Sequence, residues 1–160
     1  MEIRKATKDD VDEIVEKLWK PFMQHHQKID EKFKTNEDAE SIFKKYVIEG
    51  IEKEDFLILV AKEGKDSYKN LVGYLIASVT ERAPVYIVKR VGMINDLFVK
   101  EDFRGRNLGE KLFKKAEEWL IEQNIKYIKI KVAVGNGLAQ DFWNKKGFEN
   151  FDKVKYKKIQ

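Results

Sequence analysis

The chain has no cysteine, only two prolines, and little excess of either charge: 32 Lys and Arg stand against 28 Asp and Glu, a formal net charge of +4 over 160 residues. Each absence excludes something. Without cysteine there is no disulfide, no thiolate metal site, and no acyl-cysteine intermediate. No metal site is expected. No apolar run approaches the roughly 18 residues of a membrane span, and the opening Met1-Glu2-Ile3-Arg4-Lys5 lacks the apolar core of a secretory leader. The expected location is therefore the cytoplasm, with no membrane partner. So mild a basic excess gives no argument for nucleic acid. No Pro/Gly/Ser-rich linker and no internal repeat divides the sequence, and this length suits one core of ordinary size, so a single domain over residues 1–160 is expected.

What is abundant is charge of both signs. Charged residues make up 38% of the chain, dominated by Lys and Glu, a composition that fits a thermophile's surface. Lys126, Lys129 and Lys131 alternate with apolar residues as the wet face of a strand would. The tail from Lys153 to Lys158 is more strongly basic; it either attracts an acidic partner or is simply solvated.

Periodicity outlines the elements. Met1 to Ala6 reads as an opening strand. Val11, Ile14, Val15, Leu18 and Trp19 share a helical face, predicting a helix from about Asp10 to Trp19 that Pro21 breaks or kinks. A second helix reads from Glu37 to about Glu49. The continuous apolar runs Phe56–Ala61 and Leu71–Thr80, separated by polar Lys62–Asn70, predict a hairpin. After an irregular stretch from Arg82 to Arg90, Val91 to Val99 reads as a central strand. A helix with Leu108, Leu112, Phe113, Ala116, Trp119 and Leu120 on one stripe follows, then a parallel strand from Tyr127 to Val132. A short helix from Gly137 to Lys145 ends at Gly147, a left-handed cap.

The junction between the central strand and the long helix is the most informative stretch. Arg104-Gly105-Arg106-Asn107-Leu108-Gly109-Glu110 is a glycine-containing turn that opens into a helix, so its backbone N–H groups and the helix dipole suit a phosphate, and two arginines add donors. Three residues, not four, separate Gly105 from Gly109, and Glu110-Lys111 follows with no hydroxyl for magnesium, which excludes a nucleoside-triphosphate loop. A dinucleotide fingerprint is absent. Taken alone, the stretch could still be an ordinary strand-to-helix turn with surface arginines.

The turn resembles the coenzyme A pyrophosphate loop of the GNAT superfamily of N-acetyltransferases, with Asn107 where that family usually has its first glycine; Asn tolerates positive φ best among the other residues. About thirty residues on, Asn136-Gly137-Leu138-Ala139-Gln140-Asp141-Phe142-Trp143-Asn144-Lys145-Lys146-Gly147-Phe148 resembles that family's second segment. Two motifs in the right order are far more specific than either, and the resemblance spans essentially the whole chain, with Phe148 to Ile159 as a closing pair of strands. It implies an α/β (α+β) fold: a mixed, mostly antiparallel sheet flanked by helices, in which the fourth and fifth strands are parallel and splay apart to admit acetyl-coenzyme A.

The implied reaction is direct transfer of an acetyl group from acetyl-coenzyme A to a primary amine of a small molecule or protein. Backbone groups of Leu97, Phe98 and Val99 would pair with the pantetheine arm and polarise the thioester. Arg104 to Glu110 would hold the pyrophosphate, and Asn136, Phe142, Trp143 and Lys145 would line the coenzyme's other side. Several family members place a Glu-Asp pair midway along the central strand; here it reads Asn95-Asp96. Asn95 cannot serve as a base. Asp96 can, and a carboxylate within an apolar run is costly unless paired or functional. The other reading of Asp96 is structural, a side chain that bonds backbone or a cation and fixes a bulge.

His26, with His25 beside it, is a second candidate base because it titrates near neutrality, and Glu81 a third. Where the family usually has a tyrosine to protonate the departing thiolate, Trp143 donates a hydrogen bond but no proton. Either the thiolate leaves stabilised by hydrogen bonds, or Trp143 is packing and activity is weak or lost. A non-catalytic acyl-coenzyme A binding or sensing module is the alternative function, and a homodimer is compatible with either. On the acceptor side, Arg82, Lys89 and Arg90 favour a carboxylate- or phosphate-bearing amine unless Asp30, Glu31 and Asp96 dominate the pocket. With no thiol to carry the acetyl group, initial-rate lines at varied acetyl-coenzyme A and amine should intersect; parallel lines with an isolable acetyl-enzyme would contradict direct transfer.

Overall fold

The computed structural model describes residues 1–64 and 70–160. Their five strands, β1 (Glu2–Lys5), β2 (Phe56–Lys62), β3 (Leu71–Glu81), β4 (Arg90–Val99) and β5 (Ile128–Ile130), form one sheet in sequence order. The first four pair antiparallel, and β4 pairs with β5 in parallel. β2 and β3 read as unbroken apolar runs because both faces of the sheet are covered. Leu57, Leu59 and Ala61 belong to one core with Val72, Leu75 and Ala77, and Ile58 and Val60 to another with Tyr74 and Ile76. The strand period of two sorts the sequence between these cores. The hairpin expected at β2–β3 is present, although residues 65–69 of its turn lie outside the described residues.

The first core is closed by α4 (Leu108–Glu122) and α5 (Gly137–Lys145). The stripe Leu108, Leu112, Phe113, Ala116 and Leu120 is buried as its spacing predicts, and Trp119 is half-buried at its edge. Gly73 permits β3, β4 and α4 to approach closely: a Cβ there would stand 2.9 Å from the Phe98 carbonyl oxygen and 3.5 Å from Leu112. The second core is closed by α1 (Val11–Ile14), α2 (Lys20–Ile29) and α3 (Ala39–Glu52).

Pro21 does not end the first helix. Helical structure continues from Val11 to Ile29 through a single wide turn at Val15–Trp19, where the Lys20 N–H bonds Val15 C=O, five residues back. A proline lacks the N–H for an α-type bond, and its ring presses on the carbonyl four residues earlier, here that of Lys17. The wide turn brackets that carbonyl, and turns of this kind are a recognised means of inserting an irregularity without breaking a helix. The continuation carries Phe22 and His26 over the sheet.

Two expectations about the far edge need correction. β5 is shorter than Tyr127–Val132 because β4 turns away after Ile94 and leaves the later residues without a ladder partner. Phe148 to Gln160 forms no strand, and Phe151, Val154, Tyr156 and Ile159 face solvent. Val154 and Tyr156 alternate with Lys153, Lys155 and Lys157 as a strand would, but their apolar side has no core to face, and the alternation alone forms no ladder. Gly147 does adopt φ +83°, the left-handed cap its position predicts. Among the described residues no helix is long and apolar enough to cross a membrane.

Candidate active site

The site is built on the middle of β4. Pairing with β3 runs Ile76 to Asp96 and then Ala77 to Ile94, so Asn95 is an extra residue, a bulge. The bulge shifts the parity of the strand. Ahead of it, Gly92 donates its N–H to Tyr127 C=O on the β5 side. Beyond it, Lys100 donates to Val72 C=O on the β3 side, so by strand alternation the N–H groups of Leu97 and Val99 point away from β3. Yet β5 pairs with β4 only from Gly92 to Ile94. The two strands therefore part where Leu97 and Val99 present their free backbone edge, leaving a wedge-shaped gap. This is the splay the resemblance implied.

The same bulge turns Asp96 and Phe98 toward the face covered by α1, α2 and α3. Two hydroxyls from β3 hold the bulged pair: Ser78 Oγ donates to Asn95 Oδ1 at 2.9 Å, and Tyr74 Oη donates to Asp96 Oδ2 at 3.0 Å. Asp96 keeps a partial path to solvent, while most of the volume around its carboxyl is protein, and that surrounding dominates its acidity. Burial pushes the carboxyl up to about 6, against the opposing effects of the Tyr74 hydrogen bond and of His26. The partner of Asp96 is neither backbone nor a cation, as a purely bulge-fixing role would have it.

His26 reaches the same cleft from α2. Its Nδ1 lies 2.9 Å from the Phe22 carbonyl oxygen, and its ring packs against Phe22 and Phe33. Phe22 in turn meets Tyr74 and Phe98 edge-on. Burial, with the nearby Asp96 charge, pushes the Tyr46 hydroxyl of α3 up to about 12. Thus two of the three candidate bases, Asp96 and His26, share one aromatic cleft. His25 is exposed, and Glu81, also exposed, stands opposite Arg90 in the strand register at the far end of β3.

The loop after β4 has the curvature its sequence predicts. Gly105 and Asn107 take φ +73° and +59°, and the N–H groups at the start of α4 open toward the turn. Arg104 is anchored by its Nε to Val99 C=O at 3.0 Å, which leaves its terminal nitrogens for an anion. Arg106 is exposed beside Phe103. A Cβ on Gly109 would stand in ordinary contact with Phe142 at 3.6 Å and Val99 at 3.9 Å, so an alanine fits there without strain. Glu110 pairs with Lys146 at 2.7 Å. Positive-φ turn, helix N-terminus, arginines and free strand edge together fit a long ligand with phosphates at one end and amides along its arm.

Across the gap, Asn136 caps α5, its Oδ1 accepting from Ala139 N–H at 3.2 Å, so only its amide nitrogen is uncommitted. Phe142 is half-buried and Lys145 exposed. Trp143 is turned into the core among Phe113, Phe142 and Phe148, with ring centroids 4.8–5.3 Å away. On the acceptor side, Asp30 is engaged by Lys32 at 2.8 Å, and Arg82 lies over the Tyr86 ring. A surface cavity of about 350 Å³ lined by residues including Asp12, Glu37 and Lys44 contains no residue of β4, β5 or the phosphate loop, and is not the site. Tyr74 and Ser78 are the partners that sequence reading missed. The available signal is two hydroxyls within the apolar run from Leu71 to Val79, but their targets depend on the register with β4.

A model of the acetyltransferase (GNAT) family matches residues 11–148. An uncharacterized N-acetyltransferase from Archaeoglobus fulgidus is 30% identical over 144 residues, 89% of each chain. A tetramutant of the BH1408 protein from Bacillus halodurans has a similar fold, with a TM-score of 0.82 at 21% identity over 99% of this chain and 100% of that one. So does a predicted acetyltransferase from Clostridium acetobutylicum solved with acetyl-CoA, with a TM-score of 0.75 at 19% identity over 99% and 96%. Gly109→Glu should lower acetyl-coenzyme A affinity about tenfold or more, since it sets a carboxylate against a pyrophosphate, while Gly109→Ala and the fold survive. Calorimetry showing wild-type affinity in folded Gly109→Glu would refute the loop assignment.

Proposed function

Because the chain belongs to the acetyltransferase (GNAT) family and is an N-acetyltransferase, we propose that it transfers acetyl from acetyl-coenzyme A directly to a primary amine of a small molecule or protein, with Asp96 as the base. The observation that carries the reading is the conjunction on β4 of a free backbone edge and a carboxylate whose ionisation falls near neutrality. The family's co-substrate is acetyl-coenzyme A. Its pyrophosphate would lie on Arg104 to Glu110, and its amide-bearing arm would run along Leu97 to Val99 as a missing strand.

An amine in water is mostly protonated, so it must lose a proton before attacking the thioester carbonyl. The Asp96 carboxylate, reachable from the aromatic cleft, accepts that proton directly or through one water. The N–H of Leu97 or Val99 supports the negative charge that develops on the carbonyl oxygen, since it is fixed by the strand and faces the gap. The carbon–nitrogen bond would then form as the carbon–sulfur bond breaks, the second proton of the nitrogen passing to the departing thiolate, directly or through water, to give the neutral amide and the free thiol. A coenzyme thiol with acidity near that of cysteine, roughly 8.5, needs no strong acid for this step. The burial of Trp143 is compatible with that course, because its indole is required only as packing.

Asp96→Asn should lower the rate at neutral pH by roughly 10²–10⁴-fold, as for a lost general base, with coenzyme affinity nearly unchanged. In wild type the carboxylate must be ionised to act, so kcat/KM should fall as pH drops below about 6. The stability effect has the opposite sense. A carboxyl whose folded pKa is raised favours the folded state less once it ionises, so Asp96→Asn should melt no lower than wild type at pH 8. A variant that keeps its pH–rate profile but melts much lower would assign Asp96 a structural role. Loss of the neutral limb in His26→Ala instead would make His26 the base. Tight coenzyme binding without thiol release for any amine would favour the non-catalytic module.

A further inference from the structure

The buried stretch of β3 from Leu71 to Val79 contains two side-chain polar groups, Tyr74 and Ser78, and each donates to one residue of the β4 bulge. A fully buried tyrosine in an apolar layer requires a partner for its hydroxyl, and among the described residues that partner is Asp96 Oδ2. Its register neighbour is Phe98, so the ring stands diagonal to Asp96 on the same face of the sheet and packs beneath Phe22. Phenylalanine would fill that space equally well. The hydroxyl is what packing does not explain.

We infer that Tyr74 is a positioning residue for proton transfer: its hydroxyl holds one oxygen of Asp96 against the interior, leaving Oδ1 as the proton-accepting oxygen, and keeps the carboxylate ionised in the working pH range. The inference rests on the assignment of Asp96 as the base. Burial pushes the Tyr74 hydroxyl well above the ordinary tyrosine range, so it remains a donor wherever the protein is folded and never competes for the substrate's proton. The titratable groups that face Asp96 are Tyr74 from β3, His26 from α2 and Tyr46 from α3. Tyr74 is the one hydrogen-bonded to it. A hydrogen bond to the charged form favours that form, so its removal leaves burial less opposed.

The test is the pH dependence of kcat/KM in Tyr74→Phe, measured beside Asp96→Asn. Tyr74→Phe should move the acid limb upward by on the order of one pH unit and lower the rate above the limb, because Asp96 loses its anchor, while the calorimetric affinity for acetyl-coenzyme A stays close to wild type. An acid limb at the wild-type position in folded Tyr74→Phe overturns the inference, because a role in packing alone leaves the limb in place. If that limb is unmoved while Asp96→Asn abolishes it, Asp96 stands as the base and only the role of Tyr74 fails. If Asp96→Asn retains the limb, the base assignment fails and the inference with it. Should Tyr74→Phe not fold, 3-fluorotyrosine at position 74, a stronger donor of nearly the same shape, should move the limb downward, and an unmoved limb there overturns the inference equally.

Discussion

Everything at the site depends on how little of β4 is paired with β5. Three residues, Gly92 to Ile94, hold the two parallel strands together, and beyond them the backbone of Leu97 and Val99 faces a gap. Backbone N–H and C=O groups inside a protein require partners. A free edge in the centre of a fold is therefore a demand for a ligand that can behave as a strand. An extended arm bearing amides meets that demand, and a positive-φ turn leading into a helix N-terminus meets the phosphates at its end. The bulge at Asn95 links the two halves of the chemistry. By inserting one residue it aims the backbone of Leu97 and Val99 into the gap and the side chain of Asp96 into the aromatic cleft.

That arrangement stores an unfavourable feature, a carboxylate among aromatic rings, which the surrounding packing has to offset. The compensation is visible nearby. β3 is buried along almost its whole length, and the two hydroxyls of its buried stretch, Tyr74 and Ser78, are both committed to the bulge. Phe22, Phe33 and Phe98 fill the space around Asp96 and His26, and the wide turn ahead of Pro21 lets one helix carry Phe22 and His26 across the sheet. The cleft is thus defined by α2 and β4, whereas the coenzyme side is defined by β4, the loop and α5. Trp143 belongs to neither, because it fills the core with Phe113 and Phe148.

Elements whose signal is periodic could be read directly from the chain. The stripe of α4, the apolar runs of β2 and β3, and the α5 segment with its Gly147 cap are local patterns. So is the loop, because the torsions of Gly105 and Asn107 follow from residue type. Three features could not be read, for three different reasons. The Tyr74–Asp96 contact depends on strand register. The passage of the helix through Pro21 depends on a backbone adjustment that no single residue announces. The expectation of strands after Phe148 comes from resemblance; Val154 and Tyr156 do alternate with lysines, but they remain exposed with no core to face. Asp96 and His26 were named separately as rival bases; their shared cleft emerges only when α2 is laid over β4.

The central claim is that the unpaired edge of β4 receives the coenzyme as a strand, and amide hydrogen exchange at single-residue resolution tests it most directly. The N–H groups of Leu97 and Val99 should exchange rapidly in the free protein and become protected when acetyl-coenzyme A is added. That of Phe98, already directed at β3, should be slow in both states. Alternating protection along the strand is the mark of a ligand paired to it edge-on. Protection confined to the loop at Arg104 to Glu110, or no change at Leu97 and Val99 under saturating coenzyme, would contradict the account.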